Sequence, residues 1–134
     1  MAGVAVAALG LTLAVRRLRH DGASRVESSQ VVMAPAGVRV RVQVMNATTT
    51  RGLARRATML LRDRGFDVVE SGTASEQLDS TLVLDRSGHP DWSQRVAAAL
   101  GGARVEARPD SSRYLDVTVL LGRWWRPPTQ PFYP

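Results

Sequence analysis

Val38, Val40, Val42 and Val44 alternate with Arg39, Arg41 and Gln43. A period of two with β-branched residues on one side predicts a strand with one buried and one polar face. Helices do not cover a face that polar, so the helices are expected together on the other side of the sheet. Asn46-Ala47-Thr48-Thr49-Thr50 closes the strand and offers side chains that cap helices. Leu53, Ala57, Leu60 and Leu61 follow at i, i+4, i+7 and i+8, the apolar stripe of an amphipathic helix. Gly65 suits the left-handed position that ends such a helix.

The same reading continues along the chain. Phe66 to Ser71 and Thr81 to Asp85 are predicted strands, separated by the polar stretch Thr73 to Asp79. Ser87-Gly88-His89-Pro90-Asp91 punctuates the chain, with Pro90 placed for a first helical turn. The second helix should bury Trp92, Val96 and Leu100 and stop at Gly101-Gly102. Ala103 to Ala107 reads as a short edge strand, low in apolar content, and Asp116 to Leu121 as a final strand ending at Gly122. The order is β-α-β-β-α-β-β. It implies an α+β two-layer sandwich: a mixed sheet of four to five strands with two helices on one face.

The termini follow other patterns. Ala2 to Val15 carries no charge and is apolar or small all round, unlike a core helix. As a helix it is about 21 Å long against a hydrocarbon core of about 30 Å, and Leu18 with snorkelling Arg16 and Arg17 adds about a turn. No basic residue precedes it, so we read an N-terminal membrane anchor rather than a cleaved signal. The positive-inside rule applied to Arg16, Arg17 and Arg19 puts the rest of the chain in the cytoplasm; basic residues encoded upstream would reverse that sign. Asp21 to Gly37 has no sustained period and reads as a spacer. The expected organisation is an anchor over 1–19, a flexible linker over 20–37, a folded domain over 38–123 and a Pro/aromatic tail over 124–134. Four of the seven aromatic residues lie in that tail. Trp124 and Trp125 are expected to pack back on the sheet edge.

Composition narrows the chemistry. The 134 residues carry 18 Lys+Arg, all of them Arg, and 12 Asp+Glu, with no Cys. Thiol catalysis, Cys-based metal centres and lysine Schiff-base chemistry are excluded. The net charge of +6 is not concentrated. Between residues 38 and 123 there are 13 Arg against 10 acids, a net of only +3. That weakens a nucleic-acid reading, as do Arg and Gln where an RNA-binding sheet carries stacking aromatics.

Candidate sites are few. Ser87 and His89 with Asp85 or Asp91 have the residue types of a hydrolytic triad, but the same residues commonly mark turns and helix caps, and we favour the turn. Asp63 and Asp67 are better placed to solvate the helix end and the strand than to act as a pair. No metal site, cofactor or catalytic residue is expected. Asn46 should organise the strand-to-helix loop. In a binding role, Asn46, Thr48, Thr50 and Arg51 would hold a phosphate or carboxylate near the first helical turn. Arg39 and Arg41 on the open sheet face, or Arg51, Arg55 and Arg62 along the helix, offer further anion contacts.

The run Val42-Gln43-Val44-Met45-Asn46-Ala47-Thr48, then Arg51-Gly52-Leu53-Ala54, then Leu61 to Val69, resembles the C-terminal domain of LytR/CpsA/Psr cell-envelope proteins. The turn Arg86-Ser87-Gly88-His89 and the strand Asp116 to Gly122 are similar to that domain too, and Asn46-Ala47 departs from its more usual Asn-Gly. The resemblance spans about Val38 to Arg123. It implies a domain outside the cytoplasmic membrane on one N-terminal helix, against the literal charge rule, and we give it the greater weight. The glycopolymer transferase domain of the larger relatives has no room here. The expected function is therefore a non-catalytic, membrane-tethered cell-envelope module in a bacterium. It would bind an anionic glycopolymer or an envelope protein and touch the membrane through residues 2–18. The alternative is a cytoplasm-facing regulatory or nucleic-acid-binding module.

Overall fold

The computed structural model describes residues 31–128. The expected anchor, most of the linker and the last six residues of the tail lie outside the described residues. Seven elements follow the predicted order: β1 (Arg41–Asn46), α1 (Leu53–Asp63), β2 (Asp67–Thr73), β3 (Leu82–Asp85), α2 (Pro90–Ala99), β4 (Arg104–Ala107) and β5 (Val117–Leu121).

The five strands form one mixed sheet in the order β2-β1-β5-β3-β4. β1 runs parallel to both β2 and β5, β3 runs parallel to β4, and β3 and β5 are antiparallel. The sheet is thus two β-α-β units running in opposite directions, with β5 between them. Each unit crosses outward from β5. Right-handed crossovers in oppositely directed units put both helices on the same face, and the core agrees. Val42, Val44, Val83, Val117 and Val119 are fully buried in one cluster with Leu53, Ala57 and Leu61 of α1 and Val96 and Ala97 of α2. The fold is the predicted α+β sandwich with helices on one side.

The local signals explain the elements. In α1, Leu53, Ala57, Leu60 and Leu61 are buried as their spacing requires. Gly65, at φ 86°, turns the chain out of the helix. The Phe66 N–H then donates to the Leu61 carbonyl at 3.0 Å and the Gly65 N–H to Arg62 at 3.0 Å. This is a Schellman closure, with Leu61 and Phe66 both buried beside it. In α2, Pro90 opens the helix as expected, Val96 and Leu100 are buried, and Trp92 is half-buried. β4 is the edge strand that its composition suggested, and Glu106 pairs with Arg104 and Arg108 along it. Charges of this kind discourage edge-to-edge pairing.

Three features differ from expectation. The face of the sheet away from the helices is not open at its centre: Gln43 is 5% exposed, Thr118 2% and Leu84 2%. Arg86 Nε donates to Thr118 Oγ1 at 3.1 Å, and that hydroxyl donates to Gln43 Oε1 at 3.1 Å, so the polar groups satisfy one another across three adjacent strands. The helix cap is also different. Gly52 flanks α1 and no side chain caps it, because the Asn and Thr side chains fold the preceding loop instead. Finally, the two tryptophans part company. Trp125 joins the core and its indole N–H donates to the Leu100 carbonyl at 2.9 Å, closing the end of α2. Trp124 is 63% exposed, with the Arg123 guanidinium 5.6 Å from its ring centre. Upstream, Val32 and Ala34 pack on the core, and the Ala34 N–H donates to the Arg64 carbonyl at 2.8 Å.

Gly122 is where β5 hands the chain to Trp125. A Cβ there would lie 2.3 Å from the Ser80 carbonyl carbon, 2.6 Å from Thr81 N and 2.7 Å from Asp79 O. These are backbone atoms, and they cannot give way without moving the strand entry. Gly122→Ala should therefore destabilise the domain by about 1–3 kcal/mol. At Gly72 the added methyl would meet only the Met45 side chain, at 3.5 Å. Gly72→Ala should stay within about 0.5 kcal/mol of the parent. Urea denaturation of the two variants side by side checks both values.

Candidate functional site

The six residues singled out from sequence separate into two groups at the ends of β1. A six-residue strand spans about 17 Å, so they do not form one site.

At the C-terminal end, Asn46 is the last residue of β1 and folds the loop after it. Its Oδ1 accepts from the Thr48 N–H at 3.0 Å and the Thr48 hydroxyl at 2.7 Å, while its Nδ2 donates to the Thr50 carbonyl at 2.8 Å. The Thr50 N–H in turn donates to Thr48 Oγ1 at 3.0 Å. The backbone around Asn46 is tied elsewhere. Ala47 N–H donates to Leu121, Ala74 N–H to the Asn46 carbonyl and Leu78 N–H to the Ala47 carbonyl. Asn46 therefore has the structural role expected of it, as the centre of an Asx turn.

This loop forms one wall of an open groove of about 430 Å³. Thr48, Thr50, Arg51 and Arg55 face Ser71 and Thr73 of β2 across it, and no acidic residue lines it. The guanidinium groups of Arg51 and Arg55 have no ion-pair partner among the described residues. Arg62, expected on the same helix side, is engaged elsewhere: its Nη2 donates to the Val68 carbonyl at 2.9 Å and ties α1 to β2. Ser71 and Thr73 were not anticipated. The signal for them is topological. A strand followed by a helix and a strand returns parallel, which sets Thr73 beside Asn46 and brings the two C-terminal strand ends together, where α/β sheets commonly bind ligands.

Arg39 and Arg41 lie at the other end. Arg39 is ion-paired with Asp67. Arg41 lines a second groove, of about 660 Å³, with Arg86, Trp92, Tyr114, Asp110 and Asp116. The Arg41 N–H donates to Asp116 Oδ2 at 2.8 Å. The Ser112 hydroxyl and N–H, helped by the charges of Arg86 and Arg113, hold the Asp110 carboxyl below the usual range. Tyr114 carried no sequence signal, and Arg86 only that of its turn, since loop path rather than periodicity brings them to this groove.

The possible triad resolves as a turn. Ser87 Oγ lies 3.0 Å from His89 Nδ1, but Asp85 Oδ1 accepts from the Gly88 and His89 backbone N–H groups. The His89 ring stacks on Trp92 at 3.7 Å and 8°. Among the described residues no carboxylate hydrogen-bonds the second ring nitrogen of His89. No group of three His, Cys, Asp or Glu is arranged to hold a metal ion among the described residues.

The described domain thus has a β1 strand ending in an Asn-centred loop, a Gly-closed helix and a last strand leading to a buried Trp. Residues 39–125 match the family model described as LytR cell envelope-related transcriptional attenuator. The chain belongs to that family. The match ends on Trp125, the residue that closes the core. No curated protein matches the chain significantly. Among solved structures, one similar chain is the soluble domain of a conserved hypothetical secreted protein from Mycobacterium marinum. It is 22% identical with a TM-score of 0.50, over 77% of this chain and 71% of that one. Another is the C-terminal domain of RV0431, at 26% identity and a TM-score of 0.41, over 70% of this chain and 80% of that one.

Asn46→Ala removes both an acceptor shared by two donors and a donor to Thr50. The domain should lose about 1–2 kcal/mol, read from urea denaturation. In amide exchange the loss of protection should concentrate between Ala47 and Gly52 rather than in β4.

Proposed function

We propose that this protein is a non-catalytic cell-envelope module that binds an anionic glycopolymer through the groove at the C-terminal ends of β1 and β2. One observation carries this reading: the groove joins two guanidiniums that have no ion-pair partner among the described residues with several hydroxyls, and no acid is among its lining residues. Guanidinium groups match phosphate and carboxylate oxygens in a planar fork, and hydroxyls add neutral donors beside them. The groove is open and shallow, which suits a repeating polymer better than a small metabolite enclosed on all sides.

The family's cell-envelope description supports the setting, and the secreted neighbour from M. marinum supports a domain on the far side of the membrane. Among the described residues no helix is long and apolar enough to cross a membrane. We assign the tether to the apolar stretch over residues 2–18, which lies outside them.

The test uses the full chain and a soluble poly(glycerol phosphate) as a defined anionic polymer. Binding should weaken steeply with added salt, as ionic contacts release counterions. Arg51→Ala with Arg55→Ala should weaken it by about tenfold or more and flatten the salt dependence. An unchanged affinity and salt slope in the double variant would remove this groove as the site.

A further inference from the structure

The groove at the other end of β1 holds a different set of groups. We propose that it is a second binding site, for a neutral saccharide ring, with Tyr114 as the stacking surface, Trp92 as a wall, and Arg41, Arg86, Asp110 and Asp116 as partners for the hydroxyls. It rests on residues that take no part in the anion-binding reading.

Charge is the first reason. Arg39, at the rim, is neutralised by Asp67. The two remaining guanidiniums, Arg41 and Arg86, are matched by the carboxylates of Asp110 and Asp116. The lining is therefore close to neutral, and its two carboxylates repel a polyanion. A sugar ring has the complementary chemistry. Each hydroxyl both donates and accepts, so neighbouring hydroxyls pair with a guanidinium N–H on one side and a carboxylate oxygen on the other.

Rigidity is the second. Three of the four polar groups are already held. Arg86 donates through Nε to Thr118 Oγ1 at 3.1 Å and through Nη1 to the Arg108 carbonyl at 3.2 Å. Asp116 is fixed by the Arg41 N–H, and Asp110 by Ser112. Groups fixed before binding lose little freedom when a ligand arrives.

The aromatic rings are the third. Tyr114 is 80% exposed and sits at φ 53°, a left-handed conformation that is unfavourable for a residue with a side chain. So exposed a ring recovers little of that cost from packing. Trp92 is half-buried, and the His89 ring stacked on it is itself held at Nδ1 by Ser87. Tyr114 thus offers a free ring face and Trp92 a rigid wall in a groove of about 660 Å³, a size that admits a sugar ring. The weakly positive C–H face of a pyranose packs on the negative face of such rings.

Saturation-transfer NMR on the full chain tests the site. The protein is kept in a detergent without a sugar headgroup. The probes are neutral oligomers of N-acetylglucosamine, mannose and galactose. At least one should receive saturation at its ring protons, with an affinity little changed between about 50 and 500 mM salt because no net charge is involved. Tyr114→Ala should weaken that binding by about tenfold, the effect of truncating a central aromatic contact. Arg51→Ala should leave it unchanged. The proposal is overturned if no probe binds at millimolar concentration, if Tyr114→Ala binds as the parent does, or if the loss follows Arg51 instead. None of those results bears on the anionic groove, whose failure would appear only with the charged polymer.

Discussion

The fold depends on the parallel pairing of β1 with β5. Val42 lies beside Val117 and Val44 beside Val119, and all four side chains are fully buried. The two β-α-β units share no strand pairing of their own. Only β5, which also pairs with β3, makes them one sheet with one core. The contact joins segments more than seventy residues apart, so most of the chain must be in place before it forms. The structure then locks it from the C-terminal side. Gly122 lets the backbone pass against Ser80 and Thr81, its N–H donates to Thr81 Oγ1 at 3.0 Å, and Trp125 folds back onto the end of α2. The segment after β5 is part of the fold because β5 itself is central.

The elements were legible because their signals are local. Alternation at Val40, Val42 and Val44 fixes which side of β1 is buried whatever strand lies beside it. The four-residue stripe of α1 and the glycine at 65 act within one helix. Lateral arrangement is another matter. Gln43 and Thr118 look like solvent-facing residues in their own strands. They become buried because adjacent strands carry partners for them, and strand order is not written in either segment. The same limit governs the sites. Asn46, Thr48 and Arg51 are neighbours in sequence and stay together in the fold. Ser71 and Thr73 reach them only through parallel register. Arg41 shares β1 with Asn46 and Arg39 precedes that strand, yet both lie at its other end. The two adjacent tryptophans show the limit at its sharpest, since one is core and the other surface.

Charge follows the same geometry. The chain's net +6 includes cations already committed within the fold: Arg39 to Asp67, Arg62 to the Val68 carbonyl, and Arg104 and Arg108 to Glu106. The groove at the C-terminal end of β1 combines two arginines with no acid among its lining residues. A basic composition spread over a mildly charged domain gathers there into a surface of arginines and hydroxyls, which our account reads as the anion-binding surface. Its partner in our account is a polymer of the cell envelope, which requires the domain to sit outside the cytoplasmic membrane. The charges after the apolar N-terminal stretch, read literally, point the other way.

The most direct measurement is therefore the side of the membrane on which the folded domain lies. Reporter fusions at the C-terminus of the full chain in a bacterial host read it. Our account predicts an active periplasmic-type reporter, such as alkaline phosphatase, and an inactive cytoplasmic one, such as a fluorescent protein that does not mature after export. The reverse pattern, with the domain in the cytoplasm, would contradict it.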